Sequence, residues 1–252
     1  MKNNQSDLLK QILVIIATLG TIAVNTLAGI GRIGGVTPKD ISDKYYTSLT
    51  PSGYAFTIWS LIYFGLIIFS IYQALPSKGE RFRNLRSIYI ISCVANCLWI
   101  YLWHYDQILA CLAVIFILLI TLVFINLNLR NTKSVAETWF AATPFALYFG
   151  WVTVATILNA TIALVSLGVQ TSETTTNILA CALIAVAAVF GVIFRQVLSN
   201  SAYPLAIAWA LTAIGVQQSG KTAIVIFTAF GTIACLLSAL SFVLKDKPVK
   251  HE

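Results

Sequence analysis

Tyr148-Phe-Gly-Trp-Val-Thr-Val-Ala-Thr-Ile-Leu-Asn159 is greasy enough to cross a bilayer, yet one face of it carries two large aromatics, Tyr148 and Trp151, and an amide. Tyr148, Trp151, Ala155 and Asn159 fall at i, i+3, i+7 and i+11, which on a helix of 3.6 residues per turn is one continuous stripe. Facing lipid, the amide of Asn159 would lack hydrogen-bond partners at a cost of several kcal/mol. The stripe therefore looks inward, and Asn159 needs another helix, a water or a ligand. A segment of this kind belongs to a bundle of helices inside a membrane.

The rest of the chain agrees. Of 252 residues, 58% are hydrophobic and 10% charged, with a mean hydropathy of +0.85; a soluble domain carries about a quarter charged residues. A spanning helix needs roughly 20 apolar residues. Eight segments qualify: Ile12–Ile30, Tyr54–Leu75, Ser87–Tyr105, Ile108–Leu129, Pro144–Leu164, Thr176–Val197, Ala202–Val216 and Ala223–Leu244. The seventh is short and begins near Pro204. The fold class is all-α, a polytopic membrane helical bundle.

Charge placement tests the count. With eight spans, one side of the membrane holds Lys2, Lys10, Lys78, Arg81, Arg83, Arg86, Arg130, Lys133, Arg195, Lys245, Lys247 and Lys250, 12 of the 16 basic residues. The other keeps Arg32, Lys39, Lys44 and Lys221. By the positive-inside rule both termini are cytoplasmic. Dropping the seventh span gives 10 against 6, a poorer asymmetry. The net charge of +7 is thus mostly topological rather than a nucleic-acid surface. The first apolar run exceeds the 7 to 15 residues usual in a secretory signal and reads as a retained helix, in a bacterial-type plasma membrane.

Several chemistries lack residues. All nine acids, Asp7, Asp40, Asp43, Glu80, Asp106, Glu137, Glu173, Asp246 and Glu252, lie in loops, tails or span edges, whereas proton-coupled carriers and intramembrane hydrolases rely on buried ionisable groups. His104 lies at the end of the third span, in an interfacial setting. The five cysteines fall within spans without metal-ligand companions and read as packing thiols. The expectation is a protein that is not an enzyme and requires no cofactor or metal.

What remains is a set of aromatics and amides. Phe56, Trp59 and Tyr63 share a face of the second span, and Asn96, Trp99 and Trp103 share one of the third, each at i, i+3 and i+7. If these stripes meet that of the fifth span, they enclose an aromatic-walled cavity suited to flat hydrophobic ligands. The plainer reading is that Trp103, Tyr105, Trp139 and Tyr203 form interfacial belts. The asparagines then simply join helices, at roughly 0.6 kcal/mol per bond.

Trp151-x-x-x-Ala-Thr-x-Leu-Asn159, preceded by Tyr148, resembles the fifth helix of the tryptophan-rich sensory protein family (TspO/MBR), which includes the mitochondrial translocator protein. Asn96-x-x-Trp99 resembles that family's third helix, and Trp59-x-x-x-Tyr63 its second. The likeness covers roughly residues 10 to 165. It implies a five-helix membrane domain over 1–165, with three further transmembrane helices and a basic tail over 166–252. It also implies a receptor or carrier, often dimeric, that takes a porphyrin, haem or sterol-like ligand. The ligand-binding set is then Trp59, Tyr63, Asn96, Trp99, Tyr148, Trp151, Ala155 and Asn159. A departure is Ile100, where the family commonly has proline. The alternatives are a secondary transporter of a small hydrophobic or amphipathic solute, and an intramembrane lipid hydrolase.

Overall fold

The computed structural model describes residues 2–241; the end of the eighth segment, 242–244, and the basic tail lie outside the described residues. Among the described residues there are no strands. The long helices are α1 (Lys2–Gly29), α3 (Ile58–Tyr72), α4 (Gly79–His104), α5 (Ile108–Leu129), α7 (Thr143–Ser166), α8 (Glu173–Leu198), α9 (Ala202–Gln217) and α10 (Thr222–Leu240), with two short ones, α2 (Pro38–Lys44) and α6 (Val135–Glu137). A 3-10 turn over Gly53–Thr57 leads into α3, and a π turn over Thr138–Ala142 leads into α7.

Among the described residues seven helical stretches are long and apolar enough to cross a membrane, and α9 is the shorter eighth. Its 16 residues rise about 24 Å, short of the roughly 30 Å of a bilayer core. α9 manages this because protein covers most of it: it packs against α7, α8 and α10, leaving the stripe of Leu205, Trp209, Thr212 and Val216 exposed. Pro204 lies in its first turn, where a missing N–H has no helical acceptor to lose, and the helix runs on unbroken. Helices α4 and α8 begin before their apolar segments do. Their first turns are polar, and Ser172 caps α8 by accepting from the Thr175 N–H at 3.2 Å.

Helix α4 packs between α1 and α5, while α7 packs on α5, α3 and α9, so α7 joins the first five spans to the last three. Small residues allow the approach. A Cβ on Gly150 would stand 2.5 Å from the Tyr203 carbonyl oxygen of α9, and one on Gly191 2.5 Å from Cys235 Sγ of α10. Gly191 thus lets α8 pack closely on α10.

Polar layers tie α1 to its neighbours. Thr18 Oγ1 lies 2.6 Å from both Ser70 Oγ and Tyr89 Oη. At the basic end Asp7 pairs with Arg83 and with the fully buried Arg86, which also donates to Gln73 Oε1 at 2.8 Å. Nearby, Arg81 donates to the buried Glu137 at 2.7 Å.

Two residues depart from the interfacial belts. Trp103 is 3% exposed and donates its indole N–H to the Pro38 carbonyl at 3.1 Å. Tyr203 is fully buried between Phe149 and Phe194, its hydroxyl 3.1 Å from Thr153 Oγ1. Neither meets lipid, because α2 covers the first and the last three helices cover the second. Tyr105 and Trp139 are exposed, as belt residues are. His104 is buried too, with Nδ1 2.7 Å from the Ile100 carbonyl.

Candidate aromatic site

Trp59 is the hub. Entering α3 from the 3-10 turn, its indole stacks on Tyr63 one turn later, with centroids 5.4 Å apart and planes at 15°. It also meets Trp99 of α4 at 5.9 Å, and Tyr148 and Trp151 of α7 at 5.8 and 6.2 Å. Phe56 meets Trp151 at 6.3 Å, and Trp99 meets Trp103 at 6.1 Å. Rings from three helices therefore converge, three of these six pairs edge to face, an arrangement that aromatic quadrupoles favour.

The rings leave little room between them. A cavity of about 30 Å³ is bounded by Phe56, Trp59, Trp99, Trp103, Trp151 and Asn159, among others, which is space for about two waters. Of the expected ligand-binding residues, Trp59, Trp99, Trp151, Ala155 and Asn159 line it. Asn96 and Tyr148 lie behind it: Asn96 accepts from Asn25 Nδ2 and donates to Tyr148 Oη, both at 2.7 Å. Tyr63 lines a separate groove instead.

Asn159 finds its partners on other helices. Its Oδ1 accepts from Trp99 Nε1 and from Cys111 Sγ, each at 3.3 Å, and its Nδ2 donates to the Ala155 carbonyl. Trp103 is engaged by Pro38. Trp151 differs: its indole N–H is buried without a hydrogen-bond partner among the described residues. Among the described residues no charged side chain lines the cavity.

The cavity has walls that sequence reasoning missed. Leu49 and Pro51 come from the loop before α3, and Ala210 and Ile214 from α9. The loop is fastened to the last helices. Ser52 donates its N–H to the Ala213 carbonyl at 3.0 Å, Gln218 Nε2 reaches the carbonyls of Thr47 and Thr50 at 3.1 and 3.2 Å, and Lys221 Nζ donates to Ser48 Oγ at 2.9 Å. Nothing local in the sequence marks these partners, which are some 170 residues apart.

Helix α2 sets the remaining wall. Thr37 and Asp40 form a capping box, and the Thr37 backbone and hydroxyl donate to the Asp40 carboxylate at 2.8 and 2.7 Å. These bonds hold the Asp40 carboxyl below its ordinary pKa. At the other end of α2, pairing with Asp106 raises the pKa of the Lys44 ammonium.

Beside the cavity a groove of about 440 Å³ runs between α1 and α3, lined by Asn25, Thr26, Gly29 and Ile30 on one side and by Thr57, Ser60 and Tyr63 on the other. Pro38, Phe56 and Trp59 border both spaces.

No curated protein and no solved structure matches this chain. A sequence model of the TSPO-like protein family does, over residues 11–242. That match extends past residue 165 through the last three helices, including the wall that α9 gives to the cavity. Matched along nearly its whole length, the chain is a member of the TSPO-like protein family.

Proposed function

We propose that the chain is a membrane receptor or carrier that binds a flat apolar ligand, tetrapyrrole or sterol-like, at the aromatic site between α3, α4 and α7. The observation that carries this reading is the unpaired Trp151 N–H, held among the rings of Phe56, Trp59, Trp99 and Trp103. Burying a donor without a partner costs about 1–3 kcal/mol, and a ligand that supplies an acceptor recovers it. The described conformation is the closed one, and seating a ligand requires Trp59 and Phe56 to swing. With no cation in the lining, a ligand bearing carboxylates keeps them outside the rings. The chemistry is binding rather than catalysis, and the charge bias supports cytoplasmic termini in a bacterial-type plasma membrane.

Titration of the purified protein with protoporphyrin IX, and separately with a sterol, tests this. Tryptophan fluorescence should quench saturably with at least one of them, and Trp151→Ala should weaken the affinity about tenfold, the equivalent of 1.4 kcal/mol. Flat titrations across neutral and anionic planar compounds would overturn the reading.

A further inference from the structure

We propose that the aromatic site is reached sideways, from the bilayer, through the groove between α1 and α3, with Phe56 and Trp59 as the moving partition. The inference rests on the reading above of an apolar-ligand site.

Two independent observations point to this path. First, the loop end is fastened: residues 47–51 are all buried, and the bonds to Ala213, Gln218 and Lys221 hold that loop onto α9 and the turn after it. Trp209 adds a bond from its indole to the Ala55 carbonyl at 3.0 Å. A ligand coming from that end would have to break this set together. Second, the side is open. The groove is flanked by exposed Thr26 and Gly29 of α1, exposed Ile30 just after it and exposed Ser60 of α3, and α1 is the least buried of the long spans. Only Pro38, Phe56 and Trp59 border both the groove and the cavity. Phe56 and Trp59 are half-buried and make only ring contacts with the cavity wall. A rotamer change in these two would join the spaces without unfolding any helix.

The groove also has the chemistry of a way station for a flat amphipathic molecule. Its body is apolar, the Tyr63 ring lies along it, and the Lys39 stem rests against Gly53 at its rim.

The experiment is stopped-flow tryptophan quenching by protoporphyrin IX, with the full-length protein in nanodiscs. Gly29 has nothing within 4 Å of an added Cβ, so Gly29→Leu and Thr26→Phe can fill the groove without disturbing the ring cluster. Both should slow association and dissociation about tenfold and leave the Kd unchanged, because a barrier alters rates and not end states. Gln218→Leu combined with Lys221→Met, which frees Thr47, Ser48 and Thr50 while leaving Trp209 on the turn that carries the partition, should leave both rates as they are. Unaltered rates in the groove variants, weakened affinity in them, or faster binding in the freed-loop variant would each overturn the lateral path. An absence of saturable quenching by any planar probe in the unmodified protein would instead sink the binding reading itself, so the two failures are distinguishable.

Discussion

The indole of Trp209 on α9 donates to the carbonyl of Ala55, 3.0 Å away and 154 residues earlier in the chain, while its ring meets Tyr54 edge to face at 5.3 Å. One side chain of the seventh span thus fixes the turn from which Phe56 and Trp59 project. Trp209→Phe keeps the ring and deletes the bond. It should lower stability by about 1 kcal/mol and expose the 47–57 stretch to protease in detergent, with no new cleavage elsewhere.

Gly150 is where α7 and α9 touch most closely. Gly150→Ala places a methyl against the Tyr203 carbonyl and should cost about 1–3 kcal/mol, seen as a lower thermal midpoint. Gly20→Ala, where an added Cβ meets nothing within 4 Å, is the control and should be neutral or mildly stabilising.

The Asp7–Arg86 pair lies at the basic end, with the guanidinium fully buried. Removing one partner of a buried pair costs about 3–5 kcal/mol, more than replacing both by apolar groups. Asp7→Asn should therefore destabilise more than Asp7→Asn combined with Arg86→Met. Thermal unfolding of the two variants checks the order, and the reverse ranking would rule the argument out.

The capping box of α2 gives a pH signature. Because the Asp40 pKa is depressed in the folded protein, its contribution is complete above the ordinary carboxylate value of about 3.9 and is lost as pH falls through the lower folded value. Trp103 donates to Pro38 in the same short helix. Its fluorescence should stay flat from about pH 8 to 5 and change only below about 4. Asp40→Asn should abolish that transition.

Much of the fold was legible because membrane helices announce themselves by length and hydropathy: α5 has the bounds its apolar segment predicted. The convergence of Trp59, Trp99 and Trp151 was also readable, since a period of 3.6 residues places them on inward faces. What failed was assigning Trp103 and Tyr203 to the interface from their positions near span ends. A tryptophan under a short amphipathic helix and one greeting lipid look alike in one dimension. The walls given by Leu49, Ala210 and Ile214 were invisible for a related reason. They are ordinary aliphatics whose meaning comes only from a packing partner distant in the chain.

The abbreviated length of α9 bears on how the protein is made. A rod too short to bridge the hydrocarbon alone, and held by α7, α8 and α10, gains little from leaving the insertion machinery before α10 follows. Until that pair docks, the stretch that carries Phe56 lacks the bonds to Trp209, Ala213 and Gln218. The aromatic chamber is therefore finished only after α9 and α10 have been delivered, and a nascent chain halted after its fifth crossing would hold the tryptophans without the α9 wall that encloses them.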